Sequence, residues 1–277
     1  STTTATPPMI TDFLSYDFLQ RALLTGLAVG TAAAMLGNFV VASRNAIISE
    51  MLGHAALAGA GLGILFQVSP PLVAGIVAVS SAVLLWLLRR TSDVPAEAAP
   101  MLIMTGSLAL ALLFAHFAKD NPIALDTYLF GSILTVRPHE VVTTVAVTAL
   151  ISLALLLMWN RLRATVIDPE YARSRFADAQ LHEVLFMLCV GGLVAVSLKV
   201  IGGFLIGALL VIPVLIARML AASFAQAVWW SIAANLFCIT LGLFLSYTWD
   251  VPSSSAIVLS LVGMYVVITL ARRIMGR

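Results

Sequence analysis

Residues 48–66 read ISEMLGHAALAGAGLGILF. Sixteen of these nineteen positions suit hydrocarbon, yet Glu50 and His54 sit among them. A bilayer core of about 30 Å takes about 20 apolar residues as a helix. The stretch therefore predicts a membrane-spanning helix with a carboxylate and an imidazole on it. Four residues apart on a helix, the two project from the same face, one turn above the other.

The rest of the chain supports a lipid environment. Of 277 residues, 61% are hydrophobic and 10% are charged, against roughly 25% charged in a soluble domain. That leaves too little polar surface to cover a water-soluble globule. The formal net charge of +2 argues against a nucleic-acid partner, because phosphate recognition needs clustered Lys and Arg. Cys189 and Cys238 both lie in apolar runs and read as packing residues. The polar opening STTTATPPMI shows no positively charged signal region and reads as a trimmed or added terminus.

Nine stretches are apolar enough to span: 18–42, 46–67, 70–88, 101–118, 138–158, 182–199, 203–220, 226–247 and 252–271. Some connections are very short, so a broken or re-entrant segment is expected. The fold class is an all-α polytopic bundle of eight or nine transmembrane helices. No soluble domain can be cut from it, so residues 1–277 form a single transmembrane domain. With the N-terminus outside, eleven arginines fall on the cytoplasmic side: Arg44, Arg89, Arg90, Arg161, Arg163, Arg173, Arg175, Arg218, Arg272, Arg273 and Arg277. Four basic residues fall outside: Arg21, Lys119, Arg137 and Lys199. That bias sets the orientation.

Two polar interruptions stand out. KDNPIALDTYLFGSILTVRP (119–138) lies outside, with Tyr128 and Phe130 suited to the interface. WNRLRATVIDPEYARSRFADAQ (159–180) is cytoplasmic. It reads either as a solvated linker or as a docking loop with Tyr171, Ala172 and Phe176 on an apolar edge.

Glu50 and His54 admit several readings at this point. Glu50 lies a turn or two from Arg44 and Asn45, so it is either near water at a helix end or inside the membrane. The two hydrogen-bond each other as a packing device, or His54 is a satisfied interior histidine, or the pair is a cation site or proton relay. A carboxylate inside the membrane is costly unless it faces protein, water or a cation, and imidazole with carboxylate suits zinc, manganese or iron. Gly53, Ala56, Ala60 and Gly63 form a small-residue face, and Gly59 and Gly63 add a G-x-x-x-G spacing. Such faces permit close helix approach and leave room for an ion path. His116, His139 and His182 read as interfacial residues or helix caps. Met101 and Met104 read as packing, with a path-facing role as the alternative. Pro213 is expected to kink its helix.

Four blocks carry a resemblance. MLGNFVVASRNAIISEMLGHAALAGAGLGIL (35–65) resembles the first characteristic block of the membrane permease subunit of bacterial ABC importers for zinc, manganese and iron. DTYLFGSILTV (126–136), LKVIGGFLIGALLVIPVLIAR (198–218) and WDVPSSSAIVL (249–259) are similar to later blocks of that family, in the same order. The resemblance implies a metal importer of the bacterial cytoplasmic (inner) membrane, non-catalytic in itself. It implies a second copy of this chain, two cytosolic ATPase subunits that bind ATP, and an extracytoplasmic metal-binding protein. No permanent cofactor is implied, only the transported zinc or manganese, and Glu50 and His54 carry over as its ligands. The loop 159–180 matches the ATPase coupling segment, which assigns docking to Asp168, Glu170, Ala172, Arg173 and Phe176. Asp126 and Asp250 face outside, where a binding protein needs complementary charge.

The chain departs from the family in three places: Glu50 replaces the usual Asp, Ala58 a frequent Pro, and Phe176 a frequent Gly. No G-x-x-x-x-G-K-[ST] loop occurs. A proton-coupled secondary transporter, with the same pair as relay, is the alternative. A metalloenzyme lacks support, since no H-E-x-x-H helix is present.

Overall fold

The computed structural model describes residues 16–43, 46–91, 94–95, 97–118, 128, 131, 136–167, 174, 176 and 179–275, the side chains of Lys199 and Phe204 aside. The described residues form ten helices: α1 (Asp17–Ala42), α2 (Ile47–Leu65), α3 (Pro70–Thr91), α4 (Ala98–Phe117), α5 (Pro138–Leu157), α6 (Trp159–Ile167), α7 (Ala179–Ile201), α8 (Gly203–Leu220), α9 (Phe224–Trp249) and α10 (Ser253–Ile274). Every expected span coincides with one of them. Eight are long and apolar enough to cross a membrane, and the ninth, α8, is shorter. Only α6 is too short to be a span.

Helices dominate because a chain in lipid must satisfy its backbone groups internally. Local chemistry then starts each helix. Pro138 opens α5, where a missing N–H costs nothing, and Glu140 turns back to accept the Arg137 backbone N–H at 3.0 Å. Ser223 caps α9 by accepting from the Gln226 backbone N–H at 3.3 Å. Pro213 lies inside α8, which continues through it to Leu220.

Side-chain registers fix how the helices run. Asn38 of α1 meets Ser231 of α9, while Gly30 meets Asn235, so α1 and α9 are antiparallel. Gly53 and Gly207 set α2 against α8: Gly53 lies on Gly203, and Gly207 faces Ser49. Gly75 lies on Ala195 and Gly191 on Val79, which makes α3 and α7 antiparallel. These three pairs all fit alternation of direction along the chain. Arg89, Arg90, Arg218, Arg272 and Arg273 fall in last turns at the same end. The expected orientation places that end in the cytoplasm.

Burial separates centre from periphery. In α1 and α2, 72% of the apolar window is buried, against 22–28% in α3, α4, α5 and α10. Leu150, Leu153, Leu156 and Leu157 of α5 and Leu110, Leu112 and Leu113 of α4 are exposed, as lipid-facing positions are.

The turn between α7 and α8 is a single residue. Gly202 has φ 88° and ψ 152°, a conformation closed to side chains with a Cβ. Gly131, itself at φ 66°, presses on the backbone of Ile201 and Gly202 from the outer loop, where a Cβ would collide. Two glycines thus let three backbone segments meet at the outer end of α8.

Of the two roles their spacing allows, Gly59 and Gly63 take close helix approach. A Cβ on Gly59 would lie 2.7 Å from Ala74 Cα, and one on Gly63 would lie 2.7 Å from Pro70 Cα. The G-x-x-x-G spacing packs α2 directly on α3. Ala56 and Ala60 of the same expected face are fully buried in the core. Only Gly53 of that face borders open space.

Candidate functional site

Glu50 lies in the first turn of α2, where the helix dipole favours a carboxylate. His54 follows one turn further in. Both line a cavity of about 470 Å³, with Ala46, Ile47, Ser49, Gly53 and Leu57 of the same helix. The far wall is α8, through Gly203, Gly207, Ala208 and Val211. The α8 wall is smooth because Gly203 and Gly207, four apart, share one face.

The depth of the cavity follows from α8. Gly207 faces Ser49 and precedes Arg218 by eleven residues, about 16 Å of helix. That is about half of a 30 Å hydrocarbon core. The beginning of α2 therefore stands level with the middle of α8, about 16 Å from Arg218, although Glu50 belongs to a first turn. Glu50 is a helix-end residue, as one of its expected readings has it.

Neither the Glu50 carboxylate nor the His54 imidazole has a hydrogen bond or ion pair among the described residues. The packing hydrogen bond between them is thus absent. Glu50 is exposed and His54 is half-buried in the single chain. The neighbouring Ser49 hydroxyl donates to the Ala46 carbonyl at 2.8 Å, which leaves its oxygen as an acceptor. Among the described residues no group of three or more His, Cys, Asp or Glu side chains comes together. One chain offers a cation two side-chain ligands and small, non-obstructing walls.

The remaining candidates are dispersed. Met101 is exposed, Met104 packs on the core, and neither lines this cavity. His116 is exposed beside Phe117 at the outer end of α4. His139 lies 3.9 Å from Glu140 in the first turn of α5. His182 departs from the expected cap or anchor: it is buried, with its Nε2 3.4 Å from an Arg161 guanidinium nitrogen. Asp250 is exposed at the outer end of α9 and takes a left-handed conformation there. Tyr128 packs on Leu57, Ala58 and Ala111. Burial, and then the Glu140 carboxylate, push its phenol above the ordinary range. Phe176 is half-buried. Asp126, Phe130, Asp168, Glu170, Ala172 and Arg173 lie outside the described residues.

The family model described as the ABC 3 transport family matches residues 15–272. The chain belongs to the ABC 3 transport family. With its membrane-length helices, it is a multi-pass inner-membrane protein. It is 26% identical to the high-affinity zinc uptake system membrane protein ZnuB of Haemophilus influenzae, over 91% of this chain and 96% of that protein. It is also 26% identical to the manganese import system permease protein ScaB of Streptococcus parasanguinis, over 91% of each chain. Among solved structures, PsaBC from Streptococcus pneumoniae in complex with Fab superposes with a TM-score of 0.82 at 25% identity, covering 94% of this chain and 95% of that one.

The α8 wall of the cavity went unrecognised as part of the site in the sequence. Gly203 and Gly207 carry no chemistry and lie some 150 residues from Glu50. Their own G-x-x-x-G spacing is the one signal that marks a smooth helix face there.

Proposed function

We propose that this permease carries a divalent transition metal, zinc or manganese, into the cytoplasm, and that Glu50 and His54 hold the ion in transit. The observation that carries the proposal is the unpaired carboxylate and imidazole on one face of the α2–α8 cavity. The names of the zinc and manganese relatives support the choice of cargo, and iron fits the same ligand types.

Two ligands hold a metal weakly. Two copies about a twofold axis bring two Glu and two His together, enough for a tetrahedral zinc shell. Second carboxylate oxygens or water extend it toward the coordination manganese takes. Two carboxylates also offset a divalent charge in a medium where a bare ion is costly. Separation of the half-sites then lowers affinity and releases the ion. Binding requires the neutral imidazole, so proton and metal compete.

ATP hydrolysis belongs to separate cytosolic subunits in this reading. Residues 1–277 act as one permease domain, with the 159–180 loop docking the ATPase through Asp168, Glu170, Ala172, Arg173 and Phe176. Asp126 and Asp250 receive the binding protein outside.

The test is energised uptake of labelled zinc and manganese by the full complex, comparing wild type with Glu50→Ala and His54→Ala. Uptake is expected to vanish while assembly and ATP hydrolysis persist. Normal uptake in both variants would make the pair structural. Uptake that survives ATP depletion at a held proton gradient would favour the proton-driven alternative.

A further inference from the structure

A second cavity shares no helix with the Glu50 cavity. It is a groove of about 970 Å³ between α3, α5 and α7. Its floor is α7, at Gly192, Ala195 and Val196, and its sides include Ile76 and Val79 of α3 and Val147 of α5.

The groove is graded in polarity. Ser69, Arg137, His139 and Glu140 gather at its outer end, the end opposite the arginine-rich side. Further along, Thr144 also lines the groove, and two other hydroxyls serve their own helices. Ser80 donates to the Val77 carbonyl at 3.0 Å, and Thr143 to the His139 and Glu140 carbonyls at 3.1 and 3.0 Å. The rest of the wall is apolar, at Ile76, Val79, Val147 and Val196.

Its length matches one leaflet. Pro71 to Ser80 on α3 spans nine residues, about 14 Å of helix. His139 to Val147 on α5 and Gly192 to Val200 on α7 each span about 12 Å. Half of a hydrocarbon core about 30 Å thick is about 15 Å. At the mouth, Arg137 is exposed and has no carboxylate partner among the described residues. The Glu140 carboxylate is engaged by the Arg137 backbone N–H at 3.0 Å and lies 3.9 Å from His139. Among the described residues that line the groove, it is the one carboxylate.

We propose that this groove binds a single phospholipid of the outer leaflet, with its phosphate at the Arg137 guanidinium and an acyl chain laid along Ile76, Val79, Val147 and Val196. A guanidinium suits a phosphate because its planar donors can engage two oxygens together. An acyl chain suits the remainder because it asks for no hydrogen bonds.

Gly192 allows the groove to be filled cleanly. A Cβ there meets only Ile151 Cδ1, at 3.9 Å, so Gly192→Leu extends into the groove without displacing backbone. The experiment is native mass spectrometry of the full-length chain in mild detergent. It is titrated with dioleoyl phosphatidylglycerol and, separately, with dioleoylglycerol, which lacks the phosphate. Wild type is expected to take up one phosphatidylglycerol, about tenfold more readily than dioleoylglycerol. Arg137→Ala should remove that preference and leave dioleoylglycerol binding unchanged. Gly192→Leu should remove both, with thermal stability retained. Equal binding of the two lipids by wild type overturns the phosphate contact. Phosphatidylglycerol binding that neither variant alters overturns the location. Failure to bind lipid, together with a Gly192→Leu change in oligomeric mass, identifies a second copy as the occupant and overturns the proposal.

Discussion

The Asn38 side-chain amide donates to the Ser231 hydroxyl at 2.7 Å and to the Ala34 carbonyl at the same distance, tying α1 to α9 inside the core. One turn further along α9, Asn235 donates to the Gly30 carbonyl at 2.9 Å and the Leu209 carbonyl at 3.0 Å. A single side-chain nitrogen thus bridges α1, α8 and α9. Lipid gives helices little hydrophobic reason to associate, so such bonds and close packing must hold the bundle.

Asn235→Ala should lower thermal stability in detergent by about 1 kcal/mol, near the measured range for interhelical bonds in membranes. Asn235→Asp should cost more, because a carboxylate would face the two carbonyls in place of the donating nitrogen. Equal stability of wild type and both variants would show that the bridge contributes nothing.

Glycine contacts make a second, graded prediction. Gly59→Leu must push α3 away from α2, since even a Cβ would stand 2.7 Å from Ala74 Cα and 2.9 Å from the Val73 carbonyl oxygen. A loss of about 1–3 kcal/mol is expected. Gly106→Ala and Gly263→Ala add a methyl where nothing lies within 4 Å. Each should shift stability by no more than about 0.5 kcal/mol. Thermal unfolding in one detergent ranks all three.

These two predictions mark the boundary of what the sequence alone discloses. The eight membrane-length helices were legible because lipid demands long apolar helices, and composition records that demand directly. The Glu50–His54 face was legible because a four-residue spacing is a local property of a helix. Pairings between distant helices leave no such record. Gly59 reads equally as path or packing until Ala74 is placed beside it. Gly207 carries no chemistry of its own, and its role as a cavity wall appears only once α8 is set against α2. His182 reads as a cap because its sequence neighbour is Glu183, whereas its ring meets Arg161 on α6.

Gly207 also supplies a test of the cavity itself. A Cβ there meets nothing closer than the Ser49 hydroxyl oxygen, at 4.0 Å, so a larger side chain has room to enter. Gly207→Val should leave assembly and unfolding temperature nearly unchanged while reducing metal uptake by about tenfold or more. Undiminished uptake would move the ion route away from the α2–α8 cavity.

Glu50→Gln keeps the shape of the side chain and removes its charge, and uptake should be lost. Glu50→Asp keeps the charge and draws the oxygens back by one methylene, so uptake should be retained. The ratio of zinc to manganese transported should change, because coordination geometry rather than raw affinity distinguishes these metals. Labelled-metal competition on the assembled complex reads both outcomes. Identical behaviour of the Gln and Asp variants would remove charge from the account.

Phe39 packs on the helix that leads to the segment proposed for docking. Its ring lies 5.4 Å from Trp159, 6.3 Å from Phe186 and 5.2 Å from Phe224, and the Arg163 guanidinium stands 5.6 Å from the Phe224 ring. Trp159 and Arg163 belong to α6, which leads directly into the 168–176 segment assigned to ATPase docking. Phe39 belongs to α1, which leads into the start of α2 and Glu50. Close-packed aromatic edges resist compression, so movement of α6 should be passed to α1. Phe39→Leu should cost about 1–2 kcal/mol of stability and should lower metal transported per ATP hydrolysed in the full complex. Leu243→Ala, fully buried toward the outer end of α9, should cost at least as much stability and leave that ratio intact. If both variants lower the ratio alike, the effect is general loosening of the bundle, and the Phe39 cluster has no particular part in coupling.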